Sequence, residues 1–394
     1  MALFVIGSNL KKCSGKVFLS VNSVAPILSA TIVSKALRDV KPKPAPYPYK
    51  EKHYRVWNSW FDRTTSRFDE NSKLIVVDGP ISAGKCEFAK KLAEELDMLH
   101  IPDANMDTFY INSYGYDMRK LDPQLPESMQ SFDEKDFCQN PYHCNAAGFQ
   151  FWMYRLRYSL YVDALAHILS TGQGVVIQRS PWSSAVFTEA MYKNKYLSKE
   201  ARYVFSELTR NTLQVLMRPH LVIYLDMPVS AVKSNIMKNG QPFEKSSKAL
   251  TDQYLQDIED YYKTHYLPEI TTHAELLMYD WSQGGDVEAV VEDIEEIDFD
   301  KYTKHDTKMK DWCKSKERVW AEYRHLYADR KQYLMSLFNV PIFSAPELVV
   351  SGEDWATYTK VVLKAPGMRY TRGYNPDFGD DVLLKTKSVK YIPY

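Results

Sequence analysis

Lys73-Leu74-Ile75-Val76-Val77-Asp78-Gly79-Pro80-Ile81-Ser82-Ala83-Gly84-Lys85-Cys86 is the stretch that decides the fold of this 394-residue chain. The apolar run Leu74 to Val77 reads as a strand buried on both faces. Gly79 and Gly84 let the backbone turn its N–H groups inward, and Lys85 opens a helical pattern that runs to Leu96. Gly-x-x-x-x-Gly-Lys is thus complete as a phosphate-binding loop. The next position should carry a Ser or Thr hydroxyl for the magnesium ion that accompanies nucleotide phosphates, and here it is Cys86. A thiol is a poor ligand for so hard a cation. Backbone capture of a nucleotide survives that change, whereas metal-assisted phosphoryl transfer suffers.

Outward from the loop, strands and helices alternate. Met98 to Ile101 reads as a second strand, followed by a long irregular section from Pro102 to Tyr142. A helix from about Asn145 to Leu169 is closed by Gly172 and Gly174, and Val175 to Ile177 forms the next strand. Helices over about Ser183–Lys193 and Lys199–Met217 precede the strand Leu221–Leu225, and a helix runs from Pro228 to about Lys238. A loop, Asn239 to Lys248, leads to the amphipathic helix Leu250–His265, the strand Glu275–Tyr279 and the helix Asp286–Glu296. Five β/α units predict an α/β fold: a parallel sheet with helices on both faces and a ligand at the carboxyl ends of the strands.

Composition excludes several function classes. Fifty basic and fifty acidic residues cancel, leaving no whole-chain electrostatic footprint for nucleic acid. No window approaches the roughly 20 apolar residues needed to span a bilayer. Five cysteines (Cys13, Cys86, Cys138, Cys144 and Cys313), odd in number and without Cys-x-x-Cys spacing, indicate free thiols in a reducing compartment. Cys138, His143 and Cys144 lack a second ligand pair, so no metal site is expected. Residues 1–38 carry Lys11, Lys12, Lys16, Lys35 and Arg38, many serines and no acid, which is the pattern of a mitochondrial presequence. Residues 39–72 form a Pro- and aromatic-rich arm, extended through Lys41 to Tyr49 and followed by Trp57, Trp60 and Phe61.

Over residues 73–297 the order of motifs resembles the deoxynucleoside kinases, whose fold is a parallel sheet of this kind. The pair Phe149-Gln150 is similar to the family's base-reading position. Gln178-Arg179-Ser180 resembles its Asp/Glu-Arg-Ser motif, with the carboxylate replaced by neutral Gln178. Where the family places a Glu-Pro pair bearing the catalytic base, this chain has Pro102-Asp103, so the resemblance implies Asp103 as its stand-in. The lid region Lys233 to Glu244 holds no arginine; Lys238 supplies charge but no bidentate fork. The resemblance therefore implies nucleotide contacts from Gly79, Gly84, Lys85, Cys86, Gln150 and Arg179, with Asp103 and Arg179 as vestiges of catalysis.

A narrower resemblance, carried by Tyr224-Leu225-Asp226-Met227-Pro228-Val229, by Tyr254 to Lys263, by Tyr266-Leu267-Pro268-Glu269 and by Val290 to Glu295, is to the kinase-like accessory subunits of mitochondrial respiratory complex I. It implies a peripheral subunit on the matrix side of the inner membrane, bound to other complex I subunits of the membrane arm and outside the electron path. It also implies a possible bound nucleotide. FAD is attributed to that family, but no Gly-x-Gly-x-x-Gly fingerprint occurs here and the residues argue for no flavin. The other reading is an active mitochondrial deoxynucleoside kinase moving the ATP γ-phosphate to a nucleoside 5′-hydroxyl. Residues 298–394 lie outside any kinase core. A basic stretch (Lys301 to Arg318) is expected to merge into a helix over about Thr307–Phe338, and the Pro- and aromatic-rich remainder to drape over a neighbouring subunit.

Overall fold

A computed structural model describes residues 32–38, 42–370 and 373–380. Five strands, β1 (Leu74–Asp78), β2 (Leu99–Ile101), β3 (Val175–Gln178), β4 (Leu221–Asp226) and β5 (Glu275–Asp280), form one sheet in the order β2-β3-β1-β4-β5. Every neighbouring pair is parallel, with β1 in register with β3 (Leu74 opposite Val175) and β4 (Ile75 opposite Leu221). All five β1 residues are buried, which is why the run is apolar rather than alternating. Leu74, Val76, Ile177 and Tyr224 face the layer built on the long helix Ala146–Thr171. Ile75, Val77, Val176 and Ile223 face Phe88, Ala89 and Leu92 of the helix Lys85–Glu95 and Val290 and Ile294 of the helix Val287–Glu295. Helices therefore cover both faces, as expected, and the loop after β1 emerges at the carboxyl edge where the strand order reverses.

Three expected elements differ. The irregular section after β2 is organised by short helical turns, Asp107–Tyr110, Met118–Gln124 and Glu127–Met129, and by the helix Glu134–Gln139, capped by Asp133 accepting from the N–H groups of Lys135 and Asp136. The helix expected over Leu250–His265 is α-helical only over Asp252–Tyr261, passes through a π turn at Tyr262–Tyr266 and resumes at Leu267–Thr271. The helix expected over Thr307–Phe338 is divided into a turn at Lys310–Trp312 and the helices Glu317–Asp329 and Lys331–Ser336, and the segment beyond it contributes a further helix, Gly352–Val362.

The extensions pack on the sheet domain. Ile32 is fully buried against the β1/β4 side, Val33 donates to Asn71 Oδ1 at 2.8 Å, and Ser34 N–H donates to Glu295 at 2.7 Å. Residues 32–38, the last of the expected presequence, are thus part of the folded unit; residues 1–31 lie outside the described residues. The arm is gripped by Arg324, wholly buried on the helix Glu317–Asp329. Its guanidinium lies 3.7 Å from the Tyr54 ring centre and 4.8 Å from that of Tyr47, and it donates to Asp62 at 3.0 Å. Asp62 also accepts from Arg67 at 2.7 Å, and Asp329 takes the N–H of Tyr54 at 2.9 Å. Stacking and charge pairing act on the same guanidinium, which is itself shut off from water while Asp62 is half-buried. The helix Gly352–Val362 closes over the section after β2, where Val362 and Ala365 pack on Leu121 and Leu125 and Ser128 donates to Asp354 at 2.8 Å.

Two predictions follow from this packing. Arg324→Ala opens a cavity beside Tyr47 and Tyr54, leaves Asp62 to Arg67 alone and unclamps the arm; chemical denaturation is expected to show a loss of about 2 kcal/mol, with faster proteolysis between residues 42 and 62. His220 Nδ1 accepts the N–H of Leu74 at 2.9 Å with its ring against Trp312, and burial holds its pKa far below the ordinary histidine value; burial likewise brings His273 down to about 4. Both must be neutral in the fold, whereas the unfolded chain takes up their protons from about pH 6.5 downward. Stability is therefore expected to fall as pH drops from 6.5 towards 4, by roughly 1.4 kcal/mol per pH unit for each histidine, and the slope to flatten in a His220→Gln, His273→Asn variant.

Candidate nucleotide site

Asp78, at the end of β1, is fully buried; it accepts from Tyr262 OH at 2.7 Å on one oxygen and from Tyr266 OH at 2.8 Å on the other. Both tyrosines come from the π turn. The chain then leaves the sheet at Gly79, whose φ of +149° and whose approach to β4 exclude any side chain: a Cβ would stand 2.7 Å from the Leu225 carbonyl oxygen. Gly84, left-handed at φ +74°, precedes the helix Lys85–Glu95 without a side-chain cap, so the first-turn N–H groups point into the loop unclaimed by a side chain. Lys85 is buried and its ammonium donates to the Pro80 carbonyl of its own loop. Burial, and after it the charge of Arg179, push its pKa well down, with Asp78 and Asp103 opposing.

Asp103, just after β2, meets two arginines. Arg157 Nε donates at 3.0 Å to one oxygen, and Arg179 Nε lies 3.4 Å from the other, an ion pair without hydrogen-bond alignment. Burial raises the Asp103 pKa, but the two guanidiniums outweigh it and the group is held below the ordinary carboxylate value. Arg179 sits at the end of β3 with φ +57°, a left-handed conformation costly for a residue with a Cβ, which aims its guanidinium back over the Phe187 ring at 4.4 Å and towards the Gly79 carbonyl. Lys85, Arg157 and Arg179 together face Asp78 and Asp103. That set has one cation more than it has carboxyl groups, so an anion such as a phosphate completes its balance. The sequence reading brought out Lys85, Arg179 and Asp103 but missed Arg157 and Asp78. Arg157 was within reach, because it stands seven residues after Gln150, two turns along the same helix face.

The remaining expected residues are placed as follows. Gln150 is buried, and its amide donates to the Ser184 carbonyl and the Thr188 hydroxyl, both at 3.0 Å, so its hydrogen-bond donors are engaged by the helix Ser184–Lys193. Phe149 packs with Phe132 and stacks at 5.6 Å on Phe137, which also meets Tyr196 and Tyr254. Gln178 bonds His100 of β2 at 2.9 Å, a pairing that suits a neutral amide and a histidine whose pKa burial lowers. Cys86 is exposed on the first helical turn. A thiol in place of the hydroxyl does not suit a magnesium ion. The helix Val229–Asn239 reaches the loop through Asn235, whose amide donates to Ser82 O at 3.4 Å, while Lys238 in its last turn is exposed. Glu127, His143 and Cys144 bring ligand atoms within 4.8 Å of one another. However, His143 Nδ1 already accepts the Asn145 N–H at 3.1 Å, and Cys138 lies apart from them, buried beside Lys248.

This loop, sheet order and charge set suit a phosphate-bearing ligand, and comparisons with known proteins agree on the family. Residues 75–316 match the family model for deoxynucleoside kinase. Mitochondrial NADH dehydrogenase (ubiquinone) 1 alpha subcomplex subunit 10 of Rattus norvegicus is 37% identical over 321 residues, covering 81% of this chain and 85% of that protein. Its Bos taurus counterpart is 36% identical over 323 residues, covering 81% and 88%. The deoxyguanosine kinase of Dictyostelium discoideum is 25% identical over 236 residues, covering 60% and 73%. The chain belongs to the deoxynucleoside kinase family and groups with the alpha subcomplex subunit 10 proteins.

Proposed function

We propose that this chain is a non-catalytic accessory subunit of mitochondrial respiratory complex I, a kinase-like fold kept for assembly and carrying a degenerate nucleotide site. The observation that carries this reading is the extent of the similarity to the rat and bovine subunit 10 proteins. At 321 and 323 aligned residues it is longer than the kinase match at 75–316, so it includes extensions that a kinase core does not need. In this reading the chain lies on the matrix side of the inner membrane, and its partners are other complex I subunits of the membrane arm. No helix among the described residues is long and apolar enough to cross a membrane.

Loss of catalysis is supported by the site. Phosphoryl transfer needs a metal to bridge the phosphates, cations that close on the moving group and a base for the acceptor hydroxyl. Here the metal hydroxyl is the thiol Cys86, and the helix touching the loop offers the amide of Asn235 rather than an arginine. The one candidate base, Asp103, has its proton affinity lowered by Arg157 and Arg179. Asp103 and Arg179 are thus vestiges, while Gly79, Gly84, Lys85 and Arg179 hold the phosphates of a bound nucleotide, with Cys86 at the edge and Gln150 behind Ser184. The adjacency of Asp103 and Arg179 is what favours the second reading, an active deoxynucleoside kinase.

The presequence in this proposal ends before Ile32, because cleavage after Arg38 would remove a fully buried side chain and the Val33–Asn71 bonds.

After native electrophoresis of gently solubilised mitochondria, the chain is expected in the band with NADH dehydrogenase activity; migration only as a free monomer or dimer would overturn the subunit assignment. Purified protein is expected to release no nucleoside-dependent ADP, with or without Cys86→Ser. Lys85→Ala is expected to weaken nucleotide binding by roughly tenfold or more without displacing the chain from the complex; ADP release that vanishes in Lys85→Ala would favour the kinase. N-terminal sequencing of the mature chain is expected to begin at or before Ile32.

A further inference from the structure

The arm leaves one surface that neither the kinase core nor the packing of the extensions uses. In the 3₁₀ turn Val56–Trp60, three residues per turn place Trp57 and Trp60 on one side, and Phe61 follows at its end. Their exposures are 58%, 83% and 87%, whereas Ser59 on the opposite side and Tyr54 just before the turn are buried. Rings left this far out of the fold contribute almost nothing to its stability, so the folded chain alone does not account for them.

The charges around the rings are biased. Lys52, Arg55 and Arg63 are exposed beside the turn, and exposed Lys316 lies next to Glu317, whose carboxylate reaches the same segment. The nearby acids mostly turn inward. Asp62 is held by Arg67 and Arg324, Glu317 accepts from the N–H and hydroxyl of Thr65 and lies 3.9 Å from the mostly exposed Arg63, and Asp329 accepts from Tyr54 and pairs with His53. Only Glu51 remains an exposed acid among residues 50–63. We propose that the Trp57/Trp60/Phe61 turn with its basic rim is a docking surface for an anionic lipid bilayer, the rings entering the headgroup layer and the cations facing lipid phosphates.

Two physical points favour a bilayer over a protein. Trp sits well at a membrane interface, where an apolar ring and a polar N–H find matching layers, and Lys and Arg beside it gain from the negative surface potential. Moreover, the rings stand proud of the surface on a short turn. A soft interface accepts such a protrusion, whereas a protein partner needs a preformed pocket and a broad flat contact around it. This surface is independent of the nucleotide site and of the subunit assignment, which native electrophoresis tests separately.

The full chain is mixed with vesicles of phosphatidylcholine alone or of phosphatidylcholine with phosphatidylserine and sedimented, beside a Trp60→Ala, Phe61→Ala variant. Because Lys11, Lys12 and Lys16 can also draw the chain to anionic vesicles, the comparison with the variant decides. Binding is expected with the anionic vesicles, weakened by salt, and lower in the variant by about tenfold for each ring removed. The variant's thermal melt should be unchanged, since both side chains are exposed. Failure of the unsubstituted chain to sediment with anionic vesicles, or equal sedimentation of the two proteins, would overturn the proposal; in the second case the rings are left for a protein partner.

Discussion

Asp78 is the constraint from which the rest of the site follows. A carboxylate with no exposure at the end of the central strand must have both oxygens answered by donors, because an unpaired one costs several kcal/mol. Tyr262 and Tyr266 supply those donors. A regular α-helix carries residues four apart stacked along a single stripe. The π turn at Tyr262–Tyr266 inserts extra backbone at this point and re-aims that stripe at the strand end. Once Asp78 is fixed, the chain exits at Gly79 against the Leu225 carbonyl, and the loop has one path to the helix Lys85–Glu95.

Electrostatics then separates binding from chemistry. Three basic side chains about two carboxyl groups in a largely buried site are poorly balanced without an anion; burial first, and then the neighbouring Arg179, depress the Lys85 pKa. The same arginines that make the site attractive to phosphate hold Asp103 as a weakened base. Gln178 is engaged by His100, and the side chain that reaches the loop from the helix Val229–Asn239 is the neutral amide of Asn235. In the proposed function such a site keeps the electrostatics of capture and gives up the groups that act only in the transition state.

The extensions follow a different rule. An arm rich in proline has few N–H groups with which to join a sheet, so beside the backbone bond from Tyr47 N–H to the Ser170 carbonyl it is held largely by side chains: Arg324 against Tyr47 and Tyr54, Asp329 on the Tyr54 N–H, Arg67 on the Ala45 carbonyl. One charge, Asp62, is shared between Arg67 and Arg324 and couples the arm to a helix more than 250 residues away. Trp60 and Phe61 of the turn that follows stay among the most exposed large apolar side chains of the described residues.

The sequence by itself determined the sheet, the strand-loop-helix of the phosphate site and the altered position Cys86. Those depend on local signals: a buried apolar run, glycines at left-handed positions, and a helical period. It also determined the neutral replacement at Gln178 and the absence of lid arginines, which are matters of residue type. Only the tertiary structure decided that Asp103 lies between Arg157 and Arg179, that Gln150 spends its donors on Ser184 and Thr188, and that the helix after Leu250 breaks at the tyrosines. In each case the partner comes from a distant segment, and one strand-end carboxylate overrides a helical period that looks unbroken. The interruption of the basic C-terminal helix and the folding of residues 32–38 into the sheet layer were likewise invisible locally. Burial of Ile32 and Arg324 depends on which surfaces the fold leaves uncovered, a property that no window of the chain contains.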